Sequence, residues 1–247
     1  MDRPLQKKRA LVTGGSRGIG AAIVERLAKD GADVAFTFVS KPEQAEQTAQ
    51  IARAHGVRAI AIRADSSDAA ALDAAVARVA KEWGGLDILV SNAGVALMAP
   101  LPEFSLEDFD RTVAINLRGA FVAAKAAVKR MKPGGRIVTI GSCNAERMPF
   151  EGGAVYAMSK AGIVGLVKGL ARDLGPLGIT INNVQPGPID TDMNPAAGPF
   201  AESLKKLMAL PRYGTGSEVA AVVAHLVGPE AGFVTGASWT IDGGFTA

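Results

Sequence analysis

The chain is short of several things, and each shortage removes a class of function. A single cysteine, Cys143, excludes an intrachain disulfide and fits a reducing, cytoplasmic setting. The two histidines, His55 and His225, fall on helix-like stretches, and no Cys/His/carboxylate cluster has metal-ligand spacing. Both therefore read as structural, and no metal is expected. A net charge of only +3, with the basic residues dispersed, argues against nucleic acid as a partner. The densest basic run, Lys7-Lys8-Arg9, precedes an apolar strand and reads as a solvated edge. No apolar run is read as reaching membrane-spanning length, and the N-terminal stretch has no signal-peptide core. The expectation is a soluble cytoplasmic protein without a membrane partner.

What remains is a globular composition, 48% hydrophobic and 21% charged over 247 residues, enough to bury a substantial core. Strand-like runs recur at 10–13, 34–39, 59–63, 88–91, 136–141, 180–185 and 237–241. Helix-length stretches lie between them at 19–30, 42–55, 69–83, 106–132 and 155–174. The strands are continuously apolar rather than alternating, as when both faces of a parallel sheet are covered. The pattern predicts an α/β, doubly wound Rossmann fold with a seven-stranded parallel sheet and helices on both faces. No linker or composition break divides it, so residues 1–247 read as one domain. The Pro- and Gly-rich excursion from Pro186 to Pro211 carries a short amphipathic stretch, 200–210. It follows a strand end, where ligands bind in open α/β sheets, and reads as a substrate lid at about 188–212 rather than a loose surface insertion.

The stretch "ALVTGGSRGIGAAIVERL" runs strand, glycine turn, helix. Gly14, Gly18 and Gly20 allow a tight turn and close approach of backbone to a pyrophosphate at the helix N-terminus, with Ser16, Arg17 and Ile19 alongside. An NAD site usually places an acid at the end of the second strand. Here that end reads Phe38, Val39, Ser40, Lys41, and Asp33 lies at the opposite end. With the acid missing and Arg17, Ser40 and Lys41 able to surround a 2′-phosphate, the expected cofactor is NADP(H).

Tyr156 and Lys160 stand four residues apart, which on a helix puts them on one face. A cation there would favour ionisation of the phenol, whose ordinary pKa is about 10. Taken alone, the pair equally reads as an unremarkable surface couple.

Six segments in order change that balance: "TGGSRGIG", Asp65 after the third strand, "SNAG" at 91–94, "INL" with Asn116, "TIGS" ending at Ser142 with Tyr156-x-x-x-Lys160 beyond it, and "PGPIDTD" at 186–192. Together they resemble the short-chain dehydrogenase/reductase family over nearly the whole chain, and within it the 3-oxoacyl-carrier-protein-reductase-like carbonyl reductases. The resemblance implies Tyr156 as general acid/base and Ser142 as hydrogen-bond donor to the carbonyl oxygen. Lys160 would bind the nicotinamide ribose and lower the Tyr156 pKa, and Asn116 would orient a water or backbone group that joins Lys160 to solvent. Asp65, with Ser66 beside it, would accept from the adenine amino group. Asn92, Ala93 and Gly94 would line the adenosine-ribose side, and Pro186, Gly187, Ile189 and Thr191 would wrap the nicotinamide. Local readings stay open: Ser142 as the cap of a turn, Asn116 as a helix-interior polar residue satisfied by backbone, Asp65-Ser-Ser-Asp as a helix N-cap. Cys143 has no histidine motif that would make it a nucleophile.

The expected substrate pocket comprises Val95, Met98, Met148, Phe150, Pro188, Met193, Leu204 and Met208, which favours a small, mostly apolar ketone or aldehyde. Core packing competes for some of these side chains. Carrier-protein reductases resembling this chain carry basic residues before the fifth and sixth strands, where Pro133 and Leu177 stand here; that departure weakens a role in fatty-acid elongation. The resemblance also implies a homotetramer built through the two long helices and through the last helix and strand, with burial of the apolar face "AGIVGLVKGLARDL" against the chain's own sheet as the open alternative. A second class of function comes from a further resemblance, in "RMPFEGGAVYAMSKAG" and "GITINNVQPGPIDTDMNPA", to a biofilm-dispersal member that binds cyclic di-GMP. On that reading the cleft sequesters a nucleotide instead of reducing a carbonyl.

Overall fold

Each apolar run becomes a strand of one sheet, in a computed structural model that describes residues 3–247. The strands are β1 (Arg9–Val12), β2 (Asp33–Phe38), β3 (Ala59–Arg63), β4 (Ile88–Ser91), β5 (Arg136–Ile140), β6 (Thr180–Pro186) and β7 (Ser238–Ile241). Their order is β3-β2-β1-β4-β5-β6-β7, and every pairing is parallel. The helices are α1 (Gly18–Lys29), α2 (Pro42–Arg53), α3 (Ala69–Trp83), α4 (Leu106–Thr112), α5 (Gly119–Val128), α6 (Ala154–Leu174), α7 (Ala201–Lys205) and α8 (Gly216–Val227).

Alternate residues of a strand point to opposite faces, so continuous apolar runs feed two cores. Ala10, Val12, Val34, Phe36, Val90, Val138 and Val184 pack on one side with Ile23 and Leu27 of α1, Ala45 of α2 and Val219 and Val223 of α8. Leu11, Ala35, Leu89, Ile137 and Ile181 pack on the other with Val76 of α3, Ala123 of α5 and Ile163 and Val167 of α6. Fully burying each Val, Leu or Ile contributes about 1.5–3 kcal/mol before the entropy of ordering the chain is set against it. The chain reverses its direction of winding between β1 and β4. There the carboxyl ends of two neighbouring strands open a crevice.

Three features differ from the pattern-based expectation. The long helix expected over 106–132 is two helices, α4 and α5, joined by a π turn at Val113–Arg118. Its exit residue, Gly119, passes so near the loop after β3 that a Cβ there would lie 2.7 Å from the Ser66 carbonyl oxygen. Helix α8 was not among the stretches the pattern picked out, although its capping box is legible: Thr215 accepts from the Glu218 amide and the Glu218 carboxylate accepts from the Thr215 amide. Third, the stretch Ala154–Leu177 is long and apolar enough to cross a membrane by length and composition, contrary to the expectation that none is. Its inward residues Ile163, Val167 and Leu174 belong to the second core, so α6 is a sheet-covering helix. Only 22% of that apolar stretch is buried in the single chain, which leaves much of its outer face open.

Candidate active site

Backbone geometry shapes the floor of the crevice. Gly14 and Gly18 take φ of 65° and 53°, a region that side chains disfavour. A Cβ on Gly20 would sit 2.1 Å from the Gly14 carbonyl oxygen, so the turn closes only around a bare α-carbon. Thr13 ties this turn to the next strand end: its Oγ1 accepts from the amides of Asn92 and Ala93, each at 3.0 Å. The Asn92 side chain returns two bonds, donating to the carbonyls of Thr13 and Gly14 at 3.0 Å. The Gly14 amide donates to Thr37 Oγ1 at 3.0 Å, and Thr48 of α2 donates to the Ser16 carbonyl at 3.2 Å.

At the end of β2, Phe38 is half-buried, and Val39, Ser40 and Lys41 are exposed together with Arg17. Lys41 caps α2 in a left-handed conformation, φ 58°. Asp33 is occupied elsewhere, accepting from the Arg58 side chain at 2.7 Å at the far end of the strand. No carboxylate of β2 therefore faces the crevice from this end. Asp65 accepts from the amide and hydroxyl of Ser67, each at 2.8 Å, while Ser66 is buried. The α3 cap is Asp68, which accepts from the amides of Ala70 and Ala71. This assigns the two carboxylates of the Asp65–Asp68 run separate local tasks.

Above the crevice, four polar side chains converge. Ser142 caps the turn after β5, accepting from the Asn144 amide at 3.1 Å, and is buried. Tyr156 and Lys160 lie on the first turns of α6, with Lys160 Nζ 5.8 Å from the centre of the phenol ring. Lys160 is buried and donates to the Ile140 carbonyl at 2.9 Å. Asn116 sits on the π turn. Its Oδ1 accepts from the Val95 amide at 2.8 Å, and its Nδ2 donates to the Val95 carbonyl at 2.9 Å and to Ser159 Oγ at 3.0 Å. Gly94 separates the two: a Cβ there would lie 3.4 Å from both Asn116 Oδ1 and Lys160 Nζ. Ser159, which the sequence reading passed over, joins the set by donating to the Tyr156 carbonyl at 2.7 Å.

Burial dominates the electrostatics. It pulls the Lys160 ammonium down to about 8. It pushes the Tyr156 phenol above its ordinary value, with hydrogen bonding to Ser142 working the other way. For the phenol, desolvation is the largest influence, and Lys160, 5.8 Å from the ring centre, donates to the Ile140 carbonyl. Cys143 is raised to about 12 by burial and then by the Asp242 charge, which keeps its thiol un-ionised and unsuited to nucleophilic attack.

The segment after β6 closes the far side. Pro186 and Pro188 are buried, and Gly187 runs so close to the end of β7 that a Cβ would meet Asp242 Cα at 2.6 Å. Ile189 is buried and bridges to Gly214, while Thr191 lies over the glycine turn, its Cγ2 3.3 Å from where a Gly18 Cβ would be. Arg17 and Asp192 approach to 3.6 Å, both exposed. Of the expected pocket residues, Val95 and Met148 are half-buried and Met98, Phe150 and Met193 are exposed. Leu204 and Met208 instead turn inward and pack with Cys143, Tyr213 and Phe245 in a small separate core. Pro188 and Met208 also border a cavity of about 90 Å³ with Leu210, Gly214 and Gly243, too small for more than a few waters.

Comparison with known proteins finds relatives that span nearly the whole chain. A family model described as enoyl-(acyl carrier protein) reductase covers residues 14–246. The chain belongs to the short-chain dehydrogenase/reductase family. It is 50% identical, over 97% of its length and 98% of the relative's, to the cyclic-di-GMP-binding biofilm dispersal mediator protein of Escherichia coli. Among solved structures, a short-chain dehydrogenase/reductase from Serratia marcescens is 58% identical with a TM-score of 0.97, covering 99% of this chain and 100% of that one. A short-chain dehydrogenase from Burkholderia cenocepacia in complex with NADP is 53% identical with a TM-score of 0.98, again covering 99% and 100%. Membership accounts for the seven-stranded parallel sheet and makes this a family of NAD(P)-dependent oxidoreductases.

Proposed function

We propose that this chain is an NADPH-dependent carbonyl reductase that acts on a small, mostly apolar ketone or aldehyde and, in reverse, oxidises the secondary alcohol. The observation that carries the reading is the convergence of buried Ser142 and Lys160 on the half-buried Tyr156, beside a glycine turn that admits only bare backbone. The residues present fit the dinucleotide. Gly14, Gly18 and Gly20 let backbone amides approach the pyrophosphate, and Arg17, Ser40 and Lys41 would hold a 2′-phosphate at a strand end free of carboxylate. Asp65 would accept from the adenine amine, Asn92, Ala93 and Gly94 would line a ribose, and Lys160 would exchange its carbonyl partner for ribose hydroxyls. When bound, the reduced nicotinamide supplies the hydride.

The chain supplies the proton and the geometry. Charge develops on the substrate oxygen as its carbon is reduced, and the Ser142 hydroxyl donates to that oxygen. Tyr156, a phenol un-ionised at neutral pH that burial pushes further above its ordinary value, gives its proton to the same oxygen. Lys160 places a cation behind the phenolate that results. Asn116 has both amide hydrogens committed, to the Val95 carbonyl and Ser159 Oγ, and its oxygen accepts from the Val95 amide, so it fixes the wall behind Lys160. Residues 188–212 form the lid, offering Met193 and Phe200 as apolar surface. The chain assembles as a homotetramer, with the open groove of about 410 Å³ between Val113, Leu117, Phe121, Gly162 and Leu166 as one contact face.

The test is reduced-nicotinamide consumption with a panel of small ketones and aldehydes. The wild type turns over at least one of them, and Tyr156→Phe loses about 10²- to 10⁴-fold in kcat while binding NADPH as before. A second reading is favoured by the 50% identity to a cyclic-di-GMP-binding protein: the cleft sequesters a cyclic dinucleotide. Tight binding of cyclic di-GMP with no carbonyl turned over would make that reading the right one.

A further inference from the structure

We infer that Ser159, lying between the members of the Tyr156–Lys160 pair, is a positioning residue that docks the catalytic helix on the π turn and so sets the place of the phenol. The inference rests on the reductase reading above. Serine inside a helix is mildly unfavourable, because its hydroxyl competes for backbone groups. Here the hydroxyl is wholly buried and spent in both directions, donating to the Tyr156 carbonyl at 2.7 Å and accepting from Asn116 Nδ2 at 3.0 Å. Asn116 in turn grips both the amide and the carbonyl of Val95. An unbroken chain of bonds thus runs from the loop after β4, through the π turn, to the backbone of the residue that carries the phenol.

Glycines flank that link. A Cβ at Gly162 would stand 3.2 Å from Leu117 Cδ1, closer than is usual, whereas one at Gly94 would meet Asn116 Oδ1 and Lys160 Nζ at an ordinary 3.4 Å. Among these contacts, the Ser159 side chain is the one bonded to the Tyr156 backbone. Loss of the hydroxyl leaves the Asn116 amide one partner short in a dry place and releases the Tyr156 carbonyl to ordinary helix geometry. A displacement of an ångström at a reacting group costs about a hundredfold in rate.

Tyr156 and Tyr213 are the only tyrosines, so carbon-13 labelling of the tyrosine ring gives a site signal and an internal control. Tyr213 is remote from this network, donating to Asn194 Oδ1 at 3.1 Å. With Tyr156→Phe used to assign the pair, Ser159→Ala is expected to move the Tyr156 resonance and leave that of Tyr213 in place. In the ketone assay the same variant loses about 10- to 100-fold in kcat with KM nearly unchanged. Ser159→Thr, which keeps the hydroxyl, recovers most of the loss. Added to Asn116→Ala, the Ser159→Ala change costs less than about twofold more, because the two act through one link. An unmoved Tyr156 resonance, both resonances moving together, or full losses that multiply in the double variant would overturn the inference. If wild type reduces no carbonyl yet the Tyr156 resonance alone moves, the reductase reading fails and the positioning role stands.

Discussion

The two walls of the crevice are built on different principles. The glycine-turn wall is made of main chain: carbonyls, amides and bare α-carbons locked by Thr13, Thr37 and Asn92, with little room for any added atom. The wall at 188–212 is made of side chains. It carries one five-residue helix, leaves Met193 and Phe200 exposed at 61% and 73%, and is anchored by a few buried groups such as Leu204 and Met208. A cofactor common to a whole family suits a wall of fixed backbone, and a variable substrate suits one whose side chains change without disturbing the sheet.

Three experiments would sharpen or break that contrast. The largest effect is expected at Gly20, where the clash is with main chain and nothing flexible can yield. Gly20→Ala should weaken NADPH more than about 100-fold, or ~2.7 kcal/mol, in a fluorescence titration. Near-normal affinity would mean that the turn is softer than its geometry indicates.

Next comes a pair within the 188–212 segment, the proposed lid. Met208 is 7% exposed, and Met208→Ala should cost about 2–3 kcal/mol in denaturant unfolding. Met193→Ala, at an exposed site, should fall within about 0.5 kcal/mol of wild type and alter KM for the ketone instead. Equal stability costs for the two would erase the distinction between anchor and surface that the lid is read to have.

The smallest effect concerns Lys160, on the border between the walls. Its folded pKa of about 8 lies below the ordinary 10.5, so between those values the unfolded chain holds a proton that the folded chain has released. Stability therefore rises with pH across that window, by up to about 1.4 kcal/mol per unit, and the full cost of burying the charge is felt below it. Tyr156, raised above its ordinary 10.0, reverses the trend at higher pH, which confines the useful range to about 8–10. Lys160→Met should remove the rise, read as urea midpoints at pH ~8 and ~10. A rise that survives the substitution would show that other groups carry it.

Much of this architecture is legible in the chain because it depends on local signals. Seven apolar runs stand out where both sheet faces are covered, the glycine turn follows the first of them, and Ser142, Tyr156 and Lys160 stand out through the ordered motifs that resemble the family rather than through their spacing alone. What resisted reading depends on contacts distant in sequence. Nothing in residues 106–128 distinguishes a π turn from continuous α-helix, since the extra residue changes register without changing composition. Ser159 looks like any polar helix residue until Asn116, 43 positions earlier, is placed opposite it. Leu204 and Met208 look like pocket lining because the small core that absorbs them is completed by Cys143 and Phe245, both distant from them in sequence. The direction of the Tyr156 shift was hidden for a related reason: spacing reveals which cation is near, whereas burial is a property of the finished fold.

The π turn also bears on how this protein tolerates change. One surplus residue in a helical wall rotates everything beyond it by about 100°, so the inward placement of Asn116 is a matter of phase. Shortening that wall by a single residue would hand the inward position to a neighbour while keeping nearly every apolar side chain available for packing. Selection for thermal endurance alone would pass such a chain, and only selection for turnover would discard it.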